Sequence, residues 1–90
     1  VSDAREVVIR CTVAGEGMFP TEMTVVIQTV DGDISIYADK SLLRGDPTNG
    51  LMATRVSVEQ GFAVCLLPIE DVDSRWVRIP TQNVQDLQVA

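Results

Sequence analysis

The sequence predicts an all-β domain, a small antiparallel barrel of five to seven short strands. Three observations carry this expectation. Fourteen Val, six Ile and seven Thr stand among 90 residues, and β-branched side chains lose less freedom on a pleated strand than in a helix. Apolar and polar residues alternate with a period of two through several short stretches. Those stretches are separated by glycine-containing turns at hairpin spacing, with no helical pattern long enough to carry a parallel crossover. A chain of 9.8 kDa supports one core, so residues 1–90 are read as a single domain.

The first strand is expected over residues 6–13, where Val7, Ile9, Cys11 and Val13 alternate with Val8, Arg10 and Thr12. Gly15, Gly17 and Pro20 then form a loop. A second strand over 23–30 meets a third over 33–38 through Asp31-Gly32, a dipeptide suited to a type I′ turn. That turn pairs Val30 with Asp33, Thr29 with Ile34, Ile27 with Ile36 and Val25 with Ala38. Met23, Val25, Ile27, Ile34, Ile36 and Ala38 then share one buried face, which leaves Val26, Val30 and Tyr37 as apolar exceptions on the other.

Residues 39–51 form the longest irregular stretch, with turns at Gly45, Asp46-Pro47 and Asn49-Gly50 and with Leu42, Leu43 and Leu51 as anchors. A fourth strand over 52–58 leads through Glu59-Gln60-Gly61 into a fifth over 62–67. A type I turn closed by a left-handed Gly61 pairs Val58 with Phe62, Val56 with Val64 and Thr54 with Leu66, and those six are expected inside. Pro68 ends the ladder. A sixth strand over 75–79 carries Val77 and Ile79 inward. The expected core is Val7, Ile9, Val25, Ile27, Ile34, Ile36, Val56, Val64, Leu66, Val77, Ile79 and Leu87.

After Pro80, Thr81, Gln82 and Asn83 suggest one helical turn, followed by a short last strand in which Leu87 and Val89 alternate with Asp86 and Gln88. The segment Val77-Arg78-Ile79-Pro80-Thr81-Gln82-Asn83-Val84 resembles the closing segment of Src-homology-3-like barrels. In that family a strand ends at Ile/Val-Pro, a single helical turn follows, and a Val leads into the last strand. The resemblance implies the barrel. The early aromatic pair and the double Trp of the peptide-binding version are absent, so it does not imply recognition of proline-rich peptides.

The charge of −6 opposes nucleic acid and anionic membrane surfaces as partners, because both are bound by neutralising phosphates. No apolar run approaches the ~20 residues of a membrane-spanning helix. No basic, apolar, small-residue leader precedes the first strand, which sets a cytoplasmic expectation. The absence of His removes Ser-His-Asp and Cys-His catalysis and imidazole metal sites within one chain. Two cysteines are too few for a disulfide scaffold, and the expected register sets Cys11 and Cys65 on opposite faces.

Chemistry is sought in four places. Cys65 faces Arg55 across the expected hairpin, and a nearby guanidinium could stabilise a thiolate. Glu70, Asp71 and Asp73 are the densest acidic cluster but lack the glycine and ligand spacing of a calcium loop, so no metal or other cofactor is expected. Arg44-Gly45-Asp46 spells an integrin-attachment tripeptide, although Gly-Asp-Pro is also ordinary turn chemistry. Tyr37, Trp76 and Val26 lie on nominally outer faces, with Trp76 next to the acidic loop. The leading expectation is therefore a non-enzymatic module that binds protein, a second copy included, through Tyr37, Trp76, Val26, Glu70, Asp71 and Asp73. The alternative is a thiol-dependent enzyme or redox sensor using Cys65.

Overall fold

The computed structural model describes residues 4–45, 49–68 and 76–86. Among the described residues nine strands run in order: β1 (Arg5–Arg10), β2 (Thr12–Glu16), β3 (Glu22–Thr29), β4 (Gly32–Asp39), β5 (Leu43–Arg44), β6 (Gly50–Val58), β7 (Phe62–Leu66), β8 (Trp76–Pro80) and β9 (Val84–Asp86). Single 3-10 turns at Lys40–Leu42 and Thr81–Asn83 interrupt them. The fold is all-β, and every ladder is antiparallel. Strands β8-β7-β6-β1-β9 form one sheet, with β5 also on β6, and β2-β3-β4 form another.

The strand expected over 6–13 is two strands in two sheets. At Cys11 the N–H donates to Asn49 O at 2.8 Å rather than to a ladder neighbour, and the chain bends there. The Cys11 side chain remains in the core at 4% exposure. One continuous run of chain thus ties the sheets together, because β1 pairs with β6 and β9 whereas β2 pairs with β3.

The β3–β4 hairpin keeps its expected faces but not its expected register. Thr29 pairs with Gly32, Ile27 with Ile34 and Val25 with Ile36, so the two loop residues are Val30 and Asp31. The Thr29 hydroxyl decides this. It accepts from Asp31 N at 3.1 Å and donates to Gly32 O at 2.6 Å, closing the turn one residue earlier than an Asp-Gly loop would. Gly32 takes the positive φ (119°) at the fourth turn position, a site that type I turns favour for glycine.

The β6–β7 hairpin corrects a larger expectation. Thr54 pairs with Leu66 as predicted, but a bulge between Arg55 and Ser57 makes Val58 face Ala63, and Gly61 takes a φ of 89°. The buried side is Leu51, Ala53, Ala63, Cys65 and Leu67. Val64 and Leu66, expected in the core, are half-buried on the outer side, as are Thr54 and Phe62, while Val56, also expected there, is half-buried in the bulge and Val58 is exposed at 57%. Val7 stands opposite Ala53, and Ile79 opposite Ala63, so at these two inward positions a large side chain on the neighbour is matched by a small one.

No continuous ladder closes a barrel among the described residues. The sheets meet instead at a seam where the tip of the β3–β4 hairpin touches β8. Val30 N–H donates to Arg78 O at 2.8 Å, and the Arg78 guanidinium pairs with Asp31, its Nε lying 3.0 Å from Oδ2. One core spans both sheets: Val7, Ile9, Cys11, Val25, Ile27, Ala38, Leu51, Ala53, Ala63, Cys65, Leu67, Val77 and Ile79. Ile34 and Ile36 only pack against its margin. Leu87 and Val89 lie outside the described residues, and the last described strand begins at Val84, directly after the expected helical turn.

Two substitutions test this arrangement. Ile27 is fully buried and Ile36 is not, so Ile27→Ala should cost about 2–5 kcal/mol in urea denaturation and Ile36→Ala clearly less. Gly50, expected in a turn, opens β6, and a Cβ there would meet Val8 Cγ1 at 2.5 Å and Arg44 O at 3.3 Å. Gly50→Ala should therefore lower the denaturation midpoint although alanine suits a strand better than glycine does.

Candidate functional site

The outer side of β6, β7 and β8 follows from strand alternation. Because Val7, Ala53, Cys65 and Val77 point inward, the neighbouring row Glu6, Thr54, Leu66 and Trp76 points outward across β1, β6, β7 and β8. Trp76 is 52% exposed. Its ladder neighbour Leu66, with Met52, Thr54, Leu42, Pro68, Glu6 and the inward Ala53 and Leu67, lines an open depression at the end of these strands. Val64 and Phe62 extend the apolar surface along β7. The Arg78 guanidinium lies 5.8 Å from the Phe62 ring centroid while engaging Asp31, so this cation is already held by an aromatic face and a carboxylate.

Of the six residues expected to form one surface, the structure places Trp76 on β8 and Tyr37 and Val26 on β4 and β3. Tyr37 is 49% exposed and stands across from Thr24, while Val26 stands between Thr12 and Ser35. They belong to the outer side of the three-stranded sheet, and Trp76 to that of the other. Glu70, Asp71 and Asp73 lie outside the described residues. Leu66 and Met52, which share the Trp76 face, were missed because period-two alternation names two faces without saying which is inner.

Cys65 does face Arg55 across the ladder, because the bulge at Val56 offsets a turn one residue longer than expected. The thiol is nonetheless pushed up to about 11, because burial disfavours the thiolate more than the Arg55 charge stabilises it. Arg55 is itself engaged, its Nη1 lying 3.0 Å from Asp86 Oδ1. Cys11 is likewise raised by burial. Both cysteines are free. Among the described residues no cluster of three His, Cys, Asp or Glu is placed to hold a metal ion, and no helix is long and apolar enough to cross a membrane.

Arg44 turns back on its own chain, Nη1 donating to Ser41 O at 2.6 Å and to Leu43 O at 2.9 Å. That is the posture of a turn-stabilising residue rather than of a displayed attachment motif, whose third member, Asp46, lies outside the described residues. An open groove at the sheet junction is lined by Cys11, Thr12, Val13, Met23, Lys40, Leu43 and Asn49. It gathers few convergent polar groups, since the Asn49 carbonyl already accepts from Cys11.

Comparison with protein families, curated proteins and solved structures returned no match to this chain.

The buried thiol makes a measurable statement about pH. The folded state holds the Cys65 proton to about 11 against an ordinary value of 9.0, so its stabilisation is complete below 9.0 and is lost as pH rises toward 11. Urea midpoints should fall across that window in the native protein, and less steeply in Cys65→Ala. A thiol reagent at pH 8 should leave both cysteines of the folded protein unmodified, whereas rapid labelling of one would reinstate Cys65 chemistry.

Proposed function

We propose that the protein is a non-enzymatic β module that binds another protein through the outer face of β6, β7 and β8, with Trp76 as the central contact. One observation carries the reading: a half-exposed Trp stands beside Leu66, Val64 and Phe62 on the strand face where polar residues are the rule, next to a depression of mixed polarity. Large aromatic side chains bury much area at low entropic cost, and Trp is the residue most enriched among energetic anchors of interfaces. The depression between Met52 and Leu66 suits an apolar side chain of the partner. Glu6 in its lining favours a basic residue next to that side chain, and the net charge of −6 favours a basic partner at long range.

The finer fold assignment belongs to the same proposal. Pro80, the 3-10 turn at Thr81–Asn83 and the entry into β9 at Val84 follow the sequence of features that resembles the Src-homology-3-like closing segment, and they support reading the six-stranded sheet as such a barrel's core. A cytoplasmic setting is consistent with two unpaired cysteines. Thiol catalysis is the weaker reading, given the burial of Cys65.

The test is binding and stability measured on one variant. Trp76→Ala should abolish capture of the partner from the source cell while moving the melting temperature by no more than about 2–4 °C. Glu6→Gln should chiefly slow association and flatten its salt dependence. A Trp76→Ala protein that is strongly destabilised and loses no partner would assign Trp76 to packing.

A further inference from the structure

The seam between the sheets leaves one strand outside it. Within β3, residues 23–26 have β2 on one edge, and on that same side, farther along, Val30 N–H donates to Arg78 O. Strand β8 therefore continues where β2 stops, and both edges of β3 are occupied. Strand β4 is eight residues long and pairs with β3 alone among the described residues. Its ladder alternation, set by the Thr29–Gly32 closing pair, turns the main-chain N–H and C=O groups of residues 33, 35, 37 and 39 toward the open edge.

We infer that this edge pairs antiparallel with the β4 edge of a second copy, making a two-fold dimer centred on Tyr37. Three observations favour a second copy in that register. Continuing the sheet requires inward residues opposite inward ones, which limits the choice to registers in steps of two. A pairing centred on Ile36 sets Asp33 against Asp39, and one centred on Ser35 sets Asp31 against Asp39. The pairing centred on Tyr37 sets Ser35 against Asp39 and Asp33 against Ser41, with no like charges directly opposed. It also covers what the monomer leaves open. Tyr37, 49% exposed, meets its own copy on the outer face, and the half-buried Ile34 gains the second copy's Lys40 stem on the inner one. No proline or bulge protects β4, in contrast to the devices that usually blunt an exposed edge. The interaction is independent of the Trp76 face.

Sedimentation velocity on the full chain tests this. An interface of this kind falls in the weak class, so the protein is run up to about millimolar concentration. Wild type should shift from monomer to dimer, more readily as salt screens the −6 charge of each copy. Ser35→Pro removes an N–H that points away from β3, so it spares the hairpin ladder and should weaken dimerisation at least about tenfold. Ser35→Lys places a cation opposite Asp39 of the copy and should tighten the dimer about threefold or more relative to Gln82→Lys, a charge-matched change on an exposed turn. The second variant stands if Ser35→Pro fails to fold. A wild type that stays monomeric, a dimer that survives Ser35→Pro, open-ended oligomers, or a Ser35→Lys no tighter than Gln82→Lys would each overturn the inference.

Discussion

One core is shared by the two sheets, and the rest of the molecule follows from how it is filled. Val7, Ile9, Val25, Ile27, Leu51, Cys65 and Ile79 are fully buried. Beside two of them, Val7 and Ile79, the ladder neighbours on β6 and β7 are Ala53 and Ala63, whereas Ile9 stands next to Leu51. A larger residue in place of either alanine would separate the sheets or force neighbours off their rotamers, at a cost of about 1–3 kcal/mol. Once small residues are assigned inward, the pleat sends Met52, Thr54, Val64 and Leu66 outward. Nothing in the packing requires those outward residues to be apolar. The apolar members of that row, Met52, Val64 and Leu66, with Trp76 standing among them, are what the proposed binding face rests on.

The bend at Cys11 is the second consequence of that shared core. A strand that remained straight could pair with one sheet only. By giving its N–H to Asn49, Cys11 keeps its main chain satisfied while β1 and β2 serve different sheets, which an unpaired buried amide would not permit. Because β2 is short, the end of β3 lacks a neighbour on that side, and the Arg78 carbonyl fills the gap. The Asp31–Arg78 pair sits on the surface, at 58% and 50% side-chain exposure, and contributes about 0–1 kcal/mol. Its role is to fix the hairpin tip over β8 rather than to hold the fold together. The overhang of β4 is the remainder of this closure.

Much of the architecture was legible because turn chemistry and periodicity are local. Strand positions, the helical turn after Pro80 and the positive φ of Gly32 and Gly61 all depend on residues within a few positions of one another. The errors came from facts that no local window contains. The inner face of β6 and β7 was misassigned because bulky residues were expected inside, whereas available volume is a property of what β1 and β8 bring to the opposite side. The bulge beside Val56 leaves no mark in composition, and the one-residue shift at Asp31-Gly32 turned on a single hydroxyl at Thr29. The break at Cys11 depended on Asn49, distant in sequence. For the candidate site, exposure of Trp76 and Tyr37 was readable from alternation, but their separation onto two sheets was not, since it depends on the bend.

That separation bears on how the two proposed surfaces could act together. Strand addition through β4 uses main-chain groups and Tyr37, whereas the depression beside Trp76 is built on β6, β7 and β8, and β3 lies between β4 and β8. Pairing at β4 therefore joins two depressions on one assembly without using either. An open depression with one aromatic anchor and a single acid gives modest affinity by itself. Two such faces carried together make the second contact intramolecular, and the gain then depends on whether the partner's epitopes match their spacing. The same geometry explains why an unprotected edge need not lead to fibres. A two-fold pairing consumes both β4 edges and leaves no equivalent edge for a third copy, and the like charges at Asp31, Asp33 and Asp39 oppose slippage toward the registers centred on Ile36 and Ser35.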